Sequence, residues 1–454
     1  MQTTSILRRA GVVLAFLIVA LTIDVGLTLA FERYATPTDI TWHNYRALEP
    51  NSIDTLVLGS SFASFGINPD ALDAELGSRS YNLATMAQTL PNSLDTLRSA
   101  LADHKIERVI LCIGADSLQH ASQYDREVAF LQAKSLGDSA PDILRNVATL
   151  ALDEDNFSNS KSLGWIFPWA YTATQFDAEY VAENIRNRLD YPDPTDVIGT
   201  EGSPWRYMGD GHCAYDSWLD YQTMTSNQLA IATAEPFRDK NLRELCNLLD
   251  FCSDHNLLPY VVIAPHPDYA NLALQDPAYP RLMASLKKLV EAHGATYLDC
   301  NLINPSIYRP LNEDFSDQEH LNPGGSQHFS TALGSFIATS EANGELESFS
   351  YDGWDAYLDS FDNVELCYTE YEVRDSEVTL TAGSVAKPNV EVEYQLEIAH
   401  EQEGDYEVAQ PFTTKSAFNI PIDGNGVLEI RVTARAVGST SSDDARIWHR
   451  TVWY

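Results

Sequence analysis

Basic residues are scarce in this chain: lysine and arginine number 29 against 65 aspartates and glutamates, a formal net charge of -36. Nucleic acids and anionic lipid surfaces are held by a clustered excess of Lys and Arg, so neither is expected as a general partner. What the protein meets is neutral, cationic or engaged locally. Cysteine is also sparse. Cys112, Cys213, Cys246, Cys252, Cys300 and Cys367 are scattered without a C-x-x-C pair, which argues against zinc or thiol redox chemistry and leaves any disulfide pairing open. There is no phosphate loop, no dinucleotide glycine fingerprint and no zinc-ligand spacing, so neither cofactor nor metal is expected. Internal repeats and low-complexity tracts are lacking. With 454 residues and 44% hydrophobic content, there is apolar material for two or three domains.

Long hydrophobic runs are limited to one, Ala10 to Phe31, interrupted only by Asp24. As a helix it measures about 33 Å, the thickness of a bilayer core. Arg8 and Arg9 precede it and Glu32 and Arg33 follow, so the positive-inside rule places the N-terminus in the cytoplasm and the bulk of the chain outside. A cleavable signal peptide is the competing reading, with Thr28-Leu29-Ala30 as a weak cleavage site; the length of the run favours an uncleaved anchor.

From Ile53 to about Ser340, short apolar runs alternate with helix-period segments, the pattern of a parallel sheet covered on both faces. The strand candidates are Thr55–Leu58, Ser80–Leu83, Arg108–Ile113, Pro259–Ala264 and Ala295–Leu298. Helical stripes lie between them: Leu94, Leu97 and Leu101; Leu242, Leu245, Leu249 and Cys252; Leu282, Leu286 and Leu289. Such stripes read as core-facing packing. The stretch 117–233 breaks the alternation with loop residues and aromatics, among them Trp165, Trp169, Trp205, Tyr207 and Trp218, and reads as an insertion over the sheet's functional edge. Past about Phe349 the pattern changes to period-two strands between turns, as in Val390-Val392-Tyr394-Leu396 with Glu391, Glu393 and Glu397 opposite. Glu377–Thr381, Val390–Ile398, Ala417–Ile422, Val427–Val437 and Arg446–Trp453 are the clearest strands, and their spacing predicts a β-sandwich of immunoglobulin or fibronectin III character. The expected division is 1–33 (cytoplasmic tip and anchor), 34–345 (α/β, with the insertion at about 117–233) and 346–454 (β-sandwich).

Two segments carry chemistry. In Leu56-Val57-Leu58-Gly59-Ser60-Ser61-Phe62, an apolar strand ends in a small-residue turn holding a serine where open α/β sheets bind ligands. A serine there is also an ordinary helix cap. In Asp317-Gln318-Glu319-His320-Leu321-Asn322-Pro323, an Asp and a His three apart precede a helix start at Asn322 and Pro323. One turn can then hold both, the carboxylate fixing the imidazole tautomer while the other ring nitrogen faces a serine.

Together these segments resemble the SGNH (GDSL-like) hydrolase superfamily over roughly residues 50 to 340. Gly59-Ser60-Ser61 is similar to its Gly-Asp-Ser block, and Asp317-Gln318-Glu319-His320-Leu321-Asn322 to its Asp-x-x-His block. The short anchor, Gly66-Ile67-Asn68-Pro69 and the Phe-x-Asp-x-x-His-Leu-Asn ending resemble membrane-anchored members that serve cell-envelope polymer acylation. The resemblance implies a three-layer flavodoxin-like fold and a triad of Ser61, His320 and Asp317. It also implies acyl hydrolysis or transfer on an envelope glycan, with a multi-spanning membrane acyltransferase as a possible partner. The oxyanion-hole blocks depart from the family pattern. Tyr81 to Thr89 carries Ala84 and Ala87 at both glycine positions of an Asn82-x-Gly-x-x-Gly stretch, and Asp116 stands where the donor Asn is expected. The resemblance implies Asn82 and Asp116 as the side chains at the oxyanion or substrate and the Ser61 and Ala87 N–H groups as backbone donors, with a catalytically degenerate scaffold that binds a glycan or a membrane acyltransferase as the alternative. Ala264-Pro265-His266-Pro267-Asp268 follows another strand end, so His266 or Asp268 is expected to reach substrate.

Overall fold

The computed structural model describes residues 2–120, 139–153, 167, 169, 177–197, 205–219, 235–267, 278–361, 363–374, 376–400, 404–442 and 444–454. Trp165 and Asp268, singled out above, lie outside the described residues, as does much of the stretch 117–233.

The chain opens with α1 (Gln2–Phe31), of which Gly11–Phe31 is long and apolar enough to cross a membrane. Then come α2 (Pro37–Arg46), β1 (Thr55–Gly59), α3 (Ser61–Gly66), α4 (Pro69–Leu76), β2 (Ser80–Asn82), α5 (Leu90–Asp103), β3 (Arg108–Ile113) and α6 (Asp116–Gln119). Further on are α7 (Ala140–Ala151), α8 (Ala178–Asp190), the hairpin β4 (Trp205–Gly209) and β5 (His212–Tyr215), α9 (Asp239–Asp254), β6 (Leu258–Ile263), α10 (Ala278–Ala292), β7 (Thr296–Asp299), α11 (Pro323–Glu341) and α12 (Trp354–Asp359).

Five parallel strands form one sheet in the order β2-β1-β3-β6-β7. Alternation along each strand sends side chains to opposite faces. Leu56, Leu58, Val109, Leu111, Val261 and Ile263 join a core with α5, α9 and α10. Val57, Ile110, Cys112, Tyr260 and Val262 join a second core with α3, α4 and α11. Every residue of β1 is buried, which is why these strands read as unbroken apolar runs rather than alternating ones. The predicted strands agree with the observed ones to within a residue or two at each end. The leucine stripes also point inward, Leu97, Leu245, Leu249, Cys252 and Leu286 being fully or almost fully buried. On α10 the stripe is completed by Met283 and Val290.

The C-terminal strands are β8 (Val364–Arg374), β9 (Glu377–Ala386), β10 (Val392–Ala399), β11 (Glu407–Thr413), β12 (Ala417–Pro421), β13 (Val427–Ala436) and β14 (Arg446–Trp453). They make antiparallel sheets of order β11-β10-β13-β14 and β12-β9-β8 over a shared core that includes Leu380, Leu396, Ile430 and Trp448. On the outer face, Glu393 pairs with Arg435 and Glu397 with Arg431. Trp354, Tyr357 and Phe361 instead pack into the core beneath the parallel sheet. The six cysteines are free thiols.

Candidate active site

Strand β1 delivers the nucleophile candidate through one glycine. Gly59 has φ +135, and a Cβ there would stand 1.9 Å from the Cys112 carbonyl oxygen, so only glycine lets β1 turn this close to β3. Ser60 then occupies the cap position of α3 without a capping side-chain hydrogen bond; its hydroxyl is buried and has no hydrogen-bond partner among the described residues. Ser61 is the first residue inside the helix, so its hydroxyl is not spent on capping. It lies 2.8 Å from His320 Nε2.

The partner turn is closed from both sides. Phe315 and Leu321 form an antiparallel bridge, and Ser316 N–H donates to the His320 carbonyl at 2.8 Å. Inside the turn, Asp317 Oδ1 accepts from the backbone N–H groups of Glu319 and His320, both at 2.8 Å. The His320 Nδ1 lies 2.9 Å from Asp317 Oδ2 and 3.0 Å from Oδ1. Nδ1–H therefore donates to the carboxylate and Nε2 is left to accept from Ser61. Burial pushes the Asp317 carboxyl up, but the hydrogen bond and charge of His320 together with the two N–H donors outweigh it and leave the carboxyl below its ordinary value. Phe62 and Phe65 hold the imidazole, with ring centroids 5.6 and 5.4 Å away. Asn322 caps α11 through Gly325 N–H as expected, and its Nδ2 donates to the Glu313 carbonyl at 2.7 Å, tying the turn to the helix.

The loop after β2 corrects one expectation. Asn82 is not an oxyanion donor: its amide is fully buried and donates to the carbonyls of Ala63 (2.8 Å) and Ile67 (2.9 Å), while its oxygen accepts from Ala84 N–H. It braces α3 behind Ser61. Ala87 has φ +52, the left-handed conformation for which glycine is favoured. Its N–H and that of Ser61 have no hydrogen-bond partner among the described residues. The loop is anchored by Gln88, whose buried side chain accepts from Gly59 N–H (3.1 Å) and Ser93 Oγ (2.7 Å) and donates to the Leu83 carbonyl (2.9 Å).

Asp116 opens α6 with its side chain exposed to solvent. Surrounding protein nevertheless raises its carboxyl, with Ser117 N–H and the charges of His120 and His320 opposing. Glu319 is raised likewise, first by desolvation and then by the Asp116 charge. The Asp116 and Glu319 carboxyls thus lie close enough to His320 for its charge to act on both. His266 follows β6 as expected and lies against Phe62, ring centroids 5.9 Å apart. Its N–H and Nδ1 both meet Asn301 Oδ1, at 3.0 and 3.3 Å, and Asn301 is in turn held by Asp299. Burial brings the His266 imidazole down to about 4.

Sequence reasoning missed Gln88 and the β4–β5 hairpin. Asp210 O accepts from Asn82 N–H at 2.8 Å, Ser316 Oγ donates to Tyr215 O at 2.6 Å, and His212 Nε2 approaches Phe65 O at 3.3 Å. A Cβ on Gly211 would meet Asn82 O at 1.8 Å, so the hairpin tip also needs glycine. The Asp210-Gly211 pair was the available signal for this turn.

No family model matches the chain, and no curated protein matches it. Among solved structures it is similar to one described as a candidate acylhydrolase from Bacteroides fragilis NCTC 9343, at 9% identity and TM-score 0.30 over 68% of this chain and 99% of that one. It is also similar to one described as a candidate platelet activating factor from Streptococcus pneumonia, at 12% identity and TM-score 0.28 over 70% and 99%. Likenesses this distant carry no weight for the chemistry, which stands on the site's own geometry.

Proposed function

We propose that the protein is a membrane-anchored, extracytoplasmic serine esterase or O-acyltransferase of SGNH type, acting on acyl esters, acetyl above all, of a cell-envelope polysaccharide. The observation that carries this reading is the continuous hydrogen-bonded line Ser61–His320–Asp317, at 2.8 and 2.9 Å.

In this mechanism Ser61 Oγ attacks the ester carbonyl as its proton passes to His320 Nε2, and Asp317 holds the tautomer and stabilises the imidazolium. The Ser61 and Ala87 N–H groups receive the developing oxyanion, and the positive end of α3 supplements them. His320 then protonates the departing alcohol. The acyl group left on Ser61 is released by a second cycle in which His320 draws a proton from water, giving hydrolysis, or from a sugar hydroxyl, giving transfer.

The sheet order β2-β1-β3-β6-β7 supports a flavodoxin-like α/β unit over residues 34–345. The paired antiparallel sheets support an immunoglobulin- or fibronectin III-like unit over 346–454, whose α12 docks on the α/β core. On this reading the unit lies on the outer side of the membrane, and a multi-spanning acyltransferase is the partner that would supply or accept acyl groups.

The test is ester hydrolysis by the full chain in detergent with p-nitrophenyl acetate, with and without a neutral oligosaccharide acceptor. Turnover lost in Ser61→Ala and a mass gain of one acetyl on the acceptor support the transferase reading. Retained turnover in Ser61→Ala contradicts the assignment. A second reading, a degenerate scaffold that binds glycan or acyltransferase, is favoured by the Asp116–Glu319 carboxyls beside His320, since negative charge there opposes an oxyanion. Glycan binding by an inert wild type that equals binding by Ser61→Ala would select it.

A further inference from the structure

With α1 read as a membrane span, one of its side chains demands a partner. Asp24 stands seven residues before Phe31, about 10 Å inside that end of the span at 1.5 Å per residue. Hydrocarbon offers a carboxyl group no water, so it must be satisfied by protein. Thr22 solves the same problem within the helix, donating to the Ile18 carbonyl at 2.8 Å. Asp24 does not. Its Oδ1 accepts from the indole Nε1 of Trp169 at 2.8 Å, across 145 positions of sequence.

That bond sets a depth. The indole nitrogen cannot stand farther from α1 than the reach of an aspartate, so its ring lies at the level of Asp24. Phe167 goes with it, its ring centroid 5.9 Å from that of Trp169. The local sequence suits such a place: from Ser162 to Phe176 there is no charged residue, in a chain of which 21% is charged. At the exit of α1 the same side is fastened again. Asn184 Nδ2 on α8 donates to the carbonyls of Ala30 (3.0 Å) and Glu32 (2.6 Å), and Arg188 Nη2 to Glu32 O (2.8 Å). These contacts satisfy carbonyls that the end of a helix leaves without partners.

We propose that Phe167 and Trp169 are immersed in the leaflet that surrounds the Phe31 end of α1, so that the chain meets the bilayer at a second place and lipid acyl chains are the partner of this surface. The proposal rests on α1 being a span. It fixes Trp169 to the membrane as well as to α1, through an Asp24–Trp169 hydrogen bond that hydrocarbon shields from competing water.

The test uses the full chain reconstituted into phosphatidylcholine vesicles whose acyl chains carry bromine near their middle, which quenches tryptophan emission on contact. The protein has eight tryptophans and none falls in α1. Wild type, Trp169→Phe and, as a second variant that keeps the acceptor, Asp24→Asn are compared after flotation and after matching far-ultraviolet circular dichroism. The expected result is bromine quenching in wild type and Asp24→Asn, a measurable share of it lost in Trp169→Phe, with aqueous iodide quenching unchanged by that substitution. Floating vesicles with equal bromine quenching in wild type and Trp169→Phe overturn the placement while the span stands. Iodide quenching that falls in Trp169→Phe also overturns it, by showing the ring in water. Chains that do not float overturn the span and the placement together.

Discussion

His320 Nε2 lies 2.8 Å from Ser61 Oγ although 259 positions separate the two residues. Each is carried on a short feature with little freedom: Ser61 on a turn that only Gly59 permits, His320 on a turn closed by the Phe315–Leu321 bridge. The alignment is therefore built into the backbone before any substrate arrives.

Asp317→Asn tests the orienting carboxylate. The side chain keeps its size, but an amide can present N–H to Nδ1 and favour the wrong tautomer, so kcat/KM for an ester is expected to fall by about 1,000- to 10,000-fold. The fold is expected to persist, because Asp317 is partly exposed and the backbone N–H groups of Glu319 and His320 donate to an amide oxygen as they do to the carboxylate. A fall of less than tenfold would remove Asp317 from the account.

The meeting of Ser61, His320 and Asp317 was legible in sequence because the two segments that carry them have local signatures, a strand running into Gly59-Ser60-Ser61 and an Asp-x-x-His ahead of Asn322-Pro323. The parallel strands were legible because burial on both faces makes them apolar throughout. What escaped were contacts that have no local pattern. Gln88 looks like any polar loop residue until its amide is seen bonded to Gly59, Ser93 and Leu83. Asn82 was misassigned for the same reason: an asparagine after a strand can point at substrate or backward, and only the Ala63 and Ile67 carbonyls decide it. Strands β8 and β11 were missed as well; in β11 the exposed Glu407 to Gln410 show no buried alternation.

Gln88→Leu keeps the volume and removes the hydrogen bonds. Buried groups left without partners cost about 1–3 kcal/mol each, so stability is expected to drop by about 2–4 kcal/mol. Chemical denaturation measures the drop, and esterase activity is expected to fall with it, since the loop carrying Ala87 is untied from Gly59. Unchanged stability would contradict the anchoring role.

Ala87→Gly relieves a left-handed alanine. The strain is about 1–2 kcal/mol, against about 0.5–1 kcal/mol of added chain entropy for glycine, so a net gain of roughly 0.5–1 kcal/mol is expected. The N–H stays in place, and activity is expected to stay within about threefold of wild type. A loss of stability would contradict the φ of +52 at Ala87.

Acid should weaken the fold through buried histidines. Burial lowers His212 to about 4, with the Phe65 carbonyl opposing, against about 6.5 in an unfolded chain. Above about 6.5 neither state is protonated; below it the unfolded chain takes up a proton that the folded one refuses, so stability is lost as pH falls toward 4, by roughly 3 kcal/mol at most. His266 acts in the same direction. Asp299, raised to about 6 by burial, acts in the opposite one, regaining stability as pH falls below 6. The expected outcome is a lower melting temperature at about pH 5 than at about pH 7, with the difference reduced in His212→Gln. An equal difference in both proteins would exclude His212 as a source.

The most direct test of the central claim is the intact mass of the full chain after treatment with a fluorophosphonate, beside Ser61→Ala and His320→Gln. An activated serine attacks phosphorus and displaces fluoride, so wild type is expected to gain one adduct and both variants none. An adduct that persists in Ser61→Ala, or none on a folded wild type, would contradict the assignment of Ser61 as a nucleophile.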